Sequence, residues 1–527
     1  MQHSIVWLAS ISFSAAALAA DTAEHGGSHG EELGAVEVHA SCKPAAVPHL
    51  REGLALLHHM TYERADQAFA DASDADPACA LAWWGRAMTY IHPLWSDPPT
   101  AETFERGDQF VQKAKSLEAT TAEEQAYVAA VEAYYREGRS ATETANLAAF
   151  AAGWEQAHEQ HPDDLEAASF FALALLGTAD PQDKSFARQK RAGDIAANIR
   201  ARAPEHPGAH HYIIHAFDYP PLADQALDVA LHYGEIAPEV PHALHMPTHI
   251  FTRLGLWKES IEWNERSAAA ALKQPVDGAL SMHYLHALDY LAYAHLQLRQ
   301  DEEAQEVLRT LEAIDQPMQV ELAVPYTLAA VPARMALERQ QWARAAALEP
   351  RVPLSYPWDR FPAIEAITWF ARALGAARSG DVDAAEAALA KLASLREAAA
   401  STSTYWGNQV DIQRTAAAGW LAFAKGDEAG ALESMQEAAQ LEASTEKHPV
   451  TPGEVLPATE LLGDLLMELG RYADARAAYE ASLARSPNRL NSLSGAARAA
   501  ERAGDAAAAA RYRRDLGVLV GDVSSSG

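Results

Sequence analysis

Three histidines stand close together near the middle of the chain, at His242, His245 and His249. On an α-helix with about 3.6 residues per turn, these positions fall within one narrow stripe. A row of imidazoles is a poor face for an apolar core, whereas neutral imidazole is a common ligand of transition metals. The stripe therefore predicts a helix that binds metal.

Two further histidine groups flank this stripe, one within residues 210–215 and one within residues 283–289. We expect the three segments to build one metal centre. The predicted ligands are His211, His215, His242, His245, His249, His283 and His286. Asp289 and His210 are expected just behind the ligands, where a hydrogen bond to an imidazole orients its ring.

The predicted ligand set contains imidazoles and neither cysteine nor a recurring carboxylate. Structural zinc usually takes cysteine, and Mg²⁺ and Ca²⁺ prefer oxygen ligands. Sites made of imidazole suit copper or zinc, and the neighbouring Met246 and Met282 favour copper. Seven histidines exceed the needs of one ion, so two or more ions are expected. Metal binding should weaken between about pH 7 and pH 5, as imidazoles become protonated.

Composition narrows the possible classes of protein. The net charge is −30 over 527 residues, with no basic stripe, which argues against nucleic-acid binding. Abundant alanine and few runs of β-branched residues favour helix. After the N-terminal segment no stretch of about 18 residues is apolar throughout, so no membrane span is expected in the mature protein.

The first residues have the pattern of an export signal. Residues 5–20 are apolar and end in small side chains, which predicts a signal peptide at 1–20 and a periplasmic or secreted protein. The alternative is an N-terminal membrane anchor. The following polar segment, which contains His25, His29 and His39, is predicted to be a flexible leader.

A helix–turn–helix pattern recurs along the chain. In its clearest copy Gly470 and Gly504 lie 34 residues apart, with Pro487 between them. This pattern resembles the tetratricopeptide-repeat (TPR) superfamily over residues 45–515, and in particular exported bacterial TPR proteins with histidine-rich inner helices. The resemblance implies an all-α solenoid, a right-handed superhelix of helix–turn–helix repeats whose inner helices line a concave groove.

The repeat register places the histidines on the groove. In TPR proteins positions 2, 5 and 9 of a repeat face the groove, and with Gly255 at position 15 the three central histidines occupy these positions. His211 and His215 lie 34 residues before His245 and His249 and so occupy the same positions one repeat earlier. The resemblance therefore implies that imidazoles of neighbouring inner helices converge. By the same register His295 falls on a packing position and is predicted to be structural.

The first two inner helices offer a second set of polar and aromatic side chains. They are predicted to extend the metal site or to bind substrate, and the alternative is ordinary packing and solvation. This set is His58, His59, His92, Arg86 and Tyr90. By contrast, His206 and His448 are predicted to lie on the surface or in loops.

The two cysteines, Cys42 and Cys79, cannot form a C-x-x-C motif. In an oxidising compartment we predict that they pair, because Cys79 begins the second inner helix and Cys42 precedes the first. The predicted organisation is a signal peptide at 1–20, a leader at 21–44, N-terminal repeats with the histidine groove at 45–300, C-terminal repeats at 301–515 and a disordered tail at 516–527.

Three functions fit these features. The first is a metalloenzyme, an oxidase or oxygenase with copper or a hydrolase with zinc, acting on a small-molecule or peptide ligand in the groove. The second is a copper- or zinc-binding protein without turnover. The third is a TPR scaffold that binds a protein partner. No Ser-His-Asp order, P-loop or dinucleotide-binding fingerprint is present.

Overall fold

The computed structural model describes residues 31–95, 99–117, 121–138 and 141–521. In these ranges it contains helices and two isolated β-bridges but no β-strand. The prediction of an all-α protein is thus confirmed. None of the helices in the described ranges combines the length and apolar character that a membrane span requires. The predicted signal peptide, together with His25 and His29, lies outside the described residues.

The helices form one compact unit, residues 32–527. The N-terminal helices are α1 Val47–His58, α2 Tyr62–Ala75, α3 Ala80–Met88, α4 Ala101–Ser116, α5 Ala122–Arg136, α6 Glu143–Gln160, α7 Leu165–Gly177, α8 Ala187–Arg202 and α9 Pro207–Phe217. The central helices are α10 Leu227–Ala230, α11 Tyr233–Ile236, α12 Pro241–His245, α13 Pro247–Leu254, α14 Trp257–Ala271, α15 Met282–Gln297, α16 Asp301–Glu312, α17 Ala323–Leu337 and α18 Trp342–Ala346. The C-terminal helices are α19 Pro362–Ser379, α20 Val382–Thr402, α21 Thr404–Ala424, α22 Glu428–Ser444, α23 Ala458–Glu468, α24 Tyr472–Arg485, α25 Leu490–Arg502 and α26 Ala506–Val520. Two short 3₁₀ helices lie at Ala223–Ala226 and Trp358–Arg360.

Helices pack both with their sequence neighbours and with the next helix but one. Thus α1 packs on α2 and α3, α15 on α16 and α17, and α23 on α24 and α25. This is the arrangement of a solenoid in which each helical hairpin buries its apolar face against the next one. The predicted TPR-type α-solenoid is confirmed by this packing.

Aromatic rings fit between glycines at the repeat junctions. The Tyr479 ring packs against Gly463 of its own hairpin and Gly495 of the next, and a Cβ atom on Gly463 would lie 2.7 Å from the ring. Phe69 packs in the same way near the start of the array. Because a side chain in place of these glycines would collide with the ring, the glycine–aromatic spacing sets the distance between adjacent hairpins.

The inner surface of the array is filled instead of forming an open groove. Helix α1 packs across against α9. At the other end the Trp257 indole donates to the Asn488 carbonyl at 3.0 Å, and Asn488 donates to the Gly255 carbonyl at 3.2 Å. The inner helices are consequently covered, and all the predicted groove histidines except the partly exposed His215 are buried.

The leader and the tail differ from their predictions. Ala35 donates its backbone N–H to the Glu205 carbonyl at 2.9 Å, and the Ser41 hydroxyl donates to the Glu124 carboxylate at 2.7 Å. The described part of the leader is therefore packed on the repeats and is not a free segment. At the other end helix α26 continues to Val520, so only residues 522–527 of the predicted tail lie outside the described chain.

A disulfide joins Cys42 to Cys79 and closes a loop with a sequence separation of 37 residues. Because a cross-link of this length restricts the unfolded chain, replacing both cysteines by serine should lower the free energy of unfolding by about 3–4 kcal/mol. Urea unfolding measures this loss, and reduction of the wild-type protein should reproduce it. Detection of two free thiols in the unreduced, denatured protein would contradict the pairing.

Candidate metal centre

The structure brings six of the seven predicted ligands together as two groups of three. Triad A consists of His211, His215 and His242. Triad B consists of His245, His249 and His286. Within each triad one ring nitrogen from each histidine lies within 4.8 Å of the other two, so small side-chain movements would bring all three to one ion.

The helix that carries the central histidines is interrupted at Pro247 without a change of direction. Pro247 has no N–H to donate, and α12 ends at His245 while α13 begins at Pro247. Met246 between them keeps helical dihedral angles, φ −53° and ψ −38°. The two short helices therefore continue one another, so His245 and His249 lie on the same face with their Nε2 atoms 3.1 Å apart.

Hydrogen bonds define the tautomers in triad B. The Asn264 amide donates its N–H to the Ser260 carbonyl at 2.7 Å, so its oxygen accepts from His245 Nδ1, also at 2.7 Å. His249 Nδ1 donates to the Asp218 carboxylate at 2.9 Å. With both Nδ1 atoms protonated, the two Nε2 atoms carry lone pairs.

Two lone pairs facing each other at 3.1 Å repel unless a cation lies between them. A proton is a poor candidate, because burial lowers the pKa of both His245 and His249. Two nitrogens at this distance, each 2.0–2.1 Å from one ion, subtend an angle of about 95–100° at that ion. The chemistry of the donor set in triad B therefore fits a metal ion.

Triad A shares part of this arrangement in a less enclosed setting. His211 Nδ1 donates to the His58 carbonyl at 2.6 Å, which leaves its Nε2 lone pair facing His215 Nε2 at 3.1 Å. Both ring nitrogens of His242 are buried without a hydrogen-bond partner. Buried polar atoms are nearly always satisfied in proteins, so this orphaned imidazole also points to a ligand.

The two triads are adjacent. The ring centroids of His215 and His249 lie 6.1 Å apart, and those of His242 and His245 lie 6.4 Å apart. A small chamber of about 40 Å³ between the triads is lined by histidines of both and by Met246. The arrangement is therefore a candidate centre for two ions in one chamber.

His283 lies beside this centre but belongs to neither triad. Its ring is 5.1 Å from His242 and 6.1 Å from the Trp95 indole, and its Nδ1 has no hydrogen-bond partner. Burial lowers the pKa of His283 to about 4, so its ring is neutral at physiological pH. His210 bonds the Pro204 carbonyl at 2.7 Å, and this backbone contact differs from its predicted place behind a ligand.

Asp218 takes the orienting role that was predicted for Asp289. Asp289 instead pairs with Arg334 at 3.2 Å. Asp218 accepts from His249, from Arg253 at 2.8 Å and from Lys447 at 3.4 Å. The positive charges of Lys447 and Arg253 hold the pKa of Asp218 well below its usual range. Asp218 directly follows α9, three residues after His215, and this spacing was the available signal in the sequence.

A third cluster contains His58, Glu166 and His206, and its hydrogen bonds are satisfied from within the protein. Both histidines donate to Glu166, at 2.7 Å and 3.1 Å, and the other nitrogen of His58 accepts from the Tyr212 hydroxyl. Such a network does not require a metal ion. His58 therefore supports triad A through its carbonyl group, and His206, predicted to lie on the surface or in a loop, lies in the loop before α9 and is buried.

The remaining histidines of the first two inner helices lie outside the triads. His59 donates to the Leu33 carbonyl at 3.0 Å and accepts from the Tyr233 hydroxyl at 2.8 Å. His92 donates to the Thr89 carbonyl at 2.9 Å. These hydrogen bonds give His59 and His92 roles in packing and not in the two triads.

Arg86 and Tyr90 also lie outside the two triads. Arg86 pairs with Asp66 at 2.9 Å and lies 4.2 Å above the Phe110 ring, which also contacts Tyr90. These contacts fit the predicted alternative, in which the side chains serve ordinary packing, better than a substrate site.

The C-terminal repeats contribute to the centre, although the histidine groove was predicted for the N-terminal repeats at 45–300. The loop between α22 and α23 carries Lys447 and His448, and both are buried. Burial lowers the pKa of Lys447 to about 8, so it remains mostly protonated at neutral pH. The signal that could have located this loop is its length, because it interrupts the regular alternation of repeat helices.

Comparisons with known proteins find solved structures of low sequence identity. No protein-family model matches the sequence, and no curated protein matches it significantly. Among solved structures, YrrB, described as a TPR protein with an unusual peptide-binding site, is 18% identical over 38% of this chain and 90% of its own, with a TM-score of 0.21. Yeast Tom70 is 10% identical, covering 92% of this chain and 93% of its own, with a TM-score of 0.31. The human IFIT1 dimer is 12% identical, covering 90% and 91%, with a TM-score of 0.39.

Proposed function

We propose that this protein is an exported TPR-fold metalloprotein that holds two metal ions in triads A and B. The observation that carries the proposal is the pair of facing Nε2 atoms of His245 and His249, 3.1 Å apart, whose Nδ1 atoms both donate to protein acceptors. The orphaned nitrogens of His242 support a second ion. Periplasmic or secreted location follows from the predicted signal peptide.

Copper is the proposed metal and zinc the alternative. The triads contain imidazoles only, and imidazole suits both metals. Met246 lines the chamber between the triads, and a thioether is a soft ligand that selects copper(I). The carboxylate nearest to triad B, Asp218, already binds His249, Arg253 and Lys447, so it orients a ligand and is not itself one.

We propose an oxidase or oxygenase activity for the copper form. Three imidazoles leave open positions on an ion, where copper supplies redox chemistry with dioxygen and zinc supplies hydrolytic chemistry. The protein's own residues fix the tautomers: the His58 carbonyl, Asn264 and Asp218 each accept from an Nδ1 atom and so leave an Nε2 lone pair facing another histidine of the same triad. Burial by the surrounding helices excludes bulk water from triad B.

Two other functions remain as alternatives. A metal-binding protein without turnover would bind the same ions and lack oxidase activity. A TPR scaffold for a protein or peptide partner would need no metal, since TPR arrays serve many roles. The filled inner surface and the buried histidines favour the metalloprotein over a scaffold that uses its groove.

The test is elemental analysis of protein purified from its native compartment. We expect about two copper ions per chain, and loading of metal-free protein with copper should raise its melting temperature, since an ion that binds only the folded state stabilises it. Turnover assays with dioxygen then separate an enzyme from a binding protein. Metal-free native protein whose melting temperature responds to neither copper nor zinc would favour the scaffold.

The metal-free protein should lose stability as the pH falls. Burial lowers the pKa of His59 to about 3 and of His283 to about 4, so these rings stay neutral in the folded state and become protonated on unfolding. Their contribution to stability is complete above the pKa of unfolded histidine, near 6.5, and is lost as the pH falls below that value. At pH 5 each of these histidines lowers the free energy of unfolding by about 2 kcal/mol.

The combined loss from several such histidines is comparable to the whole free energy of unfolding of a typical protein, so acid unfolding of the metal-free form is expected near pH 5. Circular dichroism as a function of pH measures the transition. Bound copper should move it to lower pH, because an ion that binds only the folded state stabilises that state. Release of metal between pH 7 and pH 5 from protein that stays folded, as the sequence suggests for exposed imidazoles, would contradict this account.

A further inference from the structure

A second cavity opens beside triad A. Its volume is about 240 Å³, and its walls come from the end of α9, the start of α21 and the loops after α3, α7 and α22. His215 lies in this wall and in the wall of the small chamber between the triads. The cavity therefore reaches a histidine of the proposed metal centre.

The exposure of the triad histidines shows which side of the centre is accessible. His215 is partly exposed, whereas the other five triad histidines are buried. Because His215 faces the 240 Å³ cavity, a molecule in this cavity would approach triad A at its accessible member. The cavity thus has the position of a substrate site for the centre.

One wall of the cavity is aromatic. The rings of Trp406 and Tyr405 pack edge to face with their centroids 5.2 Å apart, and the Trp406 ring lies 5.1 Å from His448. The Tyr405 hydroxyl donates to the Glu446 carbonyl at 2.9 Å, so its ring is held in place. A cavity of about 150 Å³ holds benzene, so the volume here admits one substituted aromatic ring.

The polar end of the cavity carries one ammonium group, that of Lys447, beside two acids that are already paired with other cations. Lys447 and Arg253 share a single buried carboxylate, that of Asp218. Glu446, the other acid in the wall, is paired with Lys184 at 2.8 Å and with Arg485 at 3.5 Å. A buried ammonium that shares its counter-ion with a guanidinium can accept a second anionic partner.

We propose that this cavity binds a small aromatic carboxylate, with its carboxylate at Lys447 and its ring against Tyr405 and Trp406. The inference deepens the proposed function, on which it rests: an aromatic acid is the substrate class presented to triad A at His215. An aliphatic acid would leave the aromatic wall unused, and an aromatic amine would place its charge beside Lys447.

The experiment measures binding to the metal-free protein, so that it does not depend on the metal centre. Benzoate, benzamide and benzylamine are titrated by isothermal calorimetry and by quenching of tryptophan fluorescence. We expect benzoate to bind about 10-fold or more tightly than benzamide, as a charge-assisted hydrogen bond implies, and benzylamine to bind weakest.

Variants locate the site. Lys447→Gln should abolish the preference for benzoate over benzamide, whereas Lys190→Gln, which removes an exposed lysine that donates to the Ser185 carbonyl, should keep it. Trp406→Leu should weaken both ligands. The circular dichroism of each variant is compared with that of the wild type. If Lys447→Gln fails to fold, the probe series on the wild type and on Trp406→Leu still tests the proposal.

The outcomes separate this inference from the proposed function. Equal affinity for benzoate and benzamide, tighter binding of benzylamine, or no binding of any probe would overturn the aromatic-acid site, whatever the metal content. Benzoate binding that survives Trp406→Leu and Lys447→Gln unchanged would place the ligand elsewhere and overturn it as well. Benzoate binding as expected in a protein that takes up no metal would leave the site standing and remove the oxidase.

Discussion

His249→Ala is expected to remove the ion of triad B and to lower the metal content from about two ions to about one per chain. His249 supplies one of the two facing Nε2 atoms, and His245 and His286 alone leave two imidazoles. Loss of one of three ligands commonly removes a metal from a site of this type. Mass spectrometry of protein freed of loosely bound metal measures the content.

The matched control is His295→Ala. His295 lies on the same helix as His286, is also buried, and bonds Gln300 at 2.8 Å outside both triads. This variant should keep full metal content and lose about 1–3 kcal/mol of stability because of the cavity it leaves. If His249→Ala retained two ions, the assignment of triad B would be wrong and the scaffold function would become the better proposal.

His249→Ala should also cost stability, which a groove residue on an open surface would not. Its ring packs 5.4 Å from the Tyr290 ring, and its loss leaves Asp218 without one of its donors. Helicity measured by circular dichroism should nevertheless stay near the wild-type value, because the helices are held by many other contacts. The comparison with His295→Ala separates lost metal from lost packing.

Arg489→Ala is expected to produce a large loss of folding stability, about 3–5 kcal/mol. The Arg489 guanidinium is fully buried and pairs with Glu338 and Glu460, each at 2.7 Å. Removing it leaves two buried carboxylates without their shared cation, and it also frees the Tyr293 hydroxyl. Because these partners lie on α15, directly after α17 and on α23, the substitution loosens the contact between the C-terminal and central repeats.

A surface arginine of the same region provides the control. Arg511 on α26 is 56% exposed and lies 3.8 Å from Glu480, so Arg511→Ala should leave the free energy of unfolding almost unchanged. Urea denaturation of both variants and of the wild type gives the comparison. Equal, small losses for Arg489→Ala and Arg511→Ala would show that the closure of the array does not depend on this buried ion pair.

Much of the architecture follows from local pattern. The spacing of Gly470 and Gly504 indicates the helical hairpin, since turns and helix faces depend on residues within one repeat. The recurrence of His211 and His215 at His245 and His249 follows from the same register. Sequence alone therefore predicts six of the histidines that the structure assembles, because residues on one face of a helix stay neighbours in any fold that keeps the helix.

The division of these histidines into two triads depends on the tertiary structure. Asp218, Asn264 and the His58 carbonyl set the tautomers, and each bond joins residues far apart in sequence or on different helices. Lys447 reaches Asp218 across 229 positions. No periodicity encodes such pairs, since they depend on how neighbouring helices pack and, for His58 and Lys447, on where the array closes on itself. That closure also buries the imidazoles, and burial is what lowers their pKa and turns a row of histidines into a candidate metal centre.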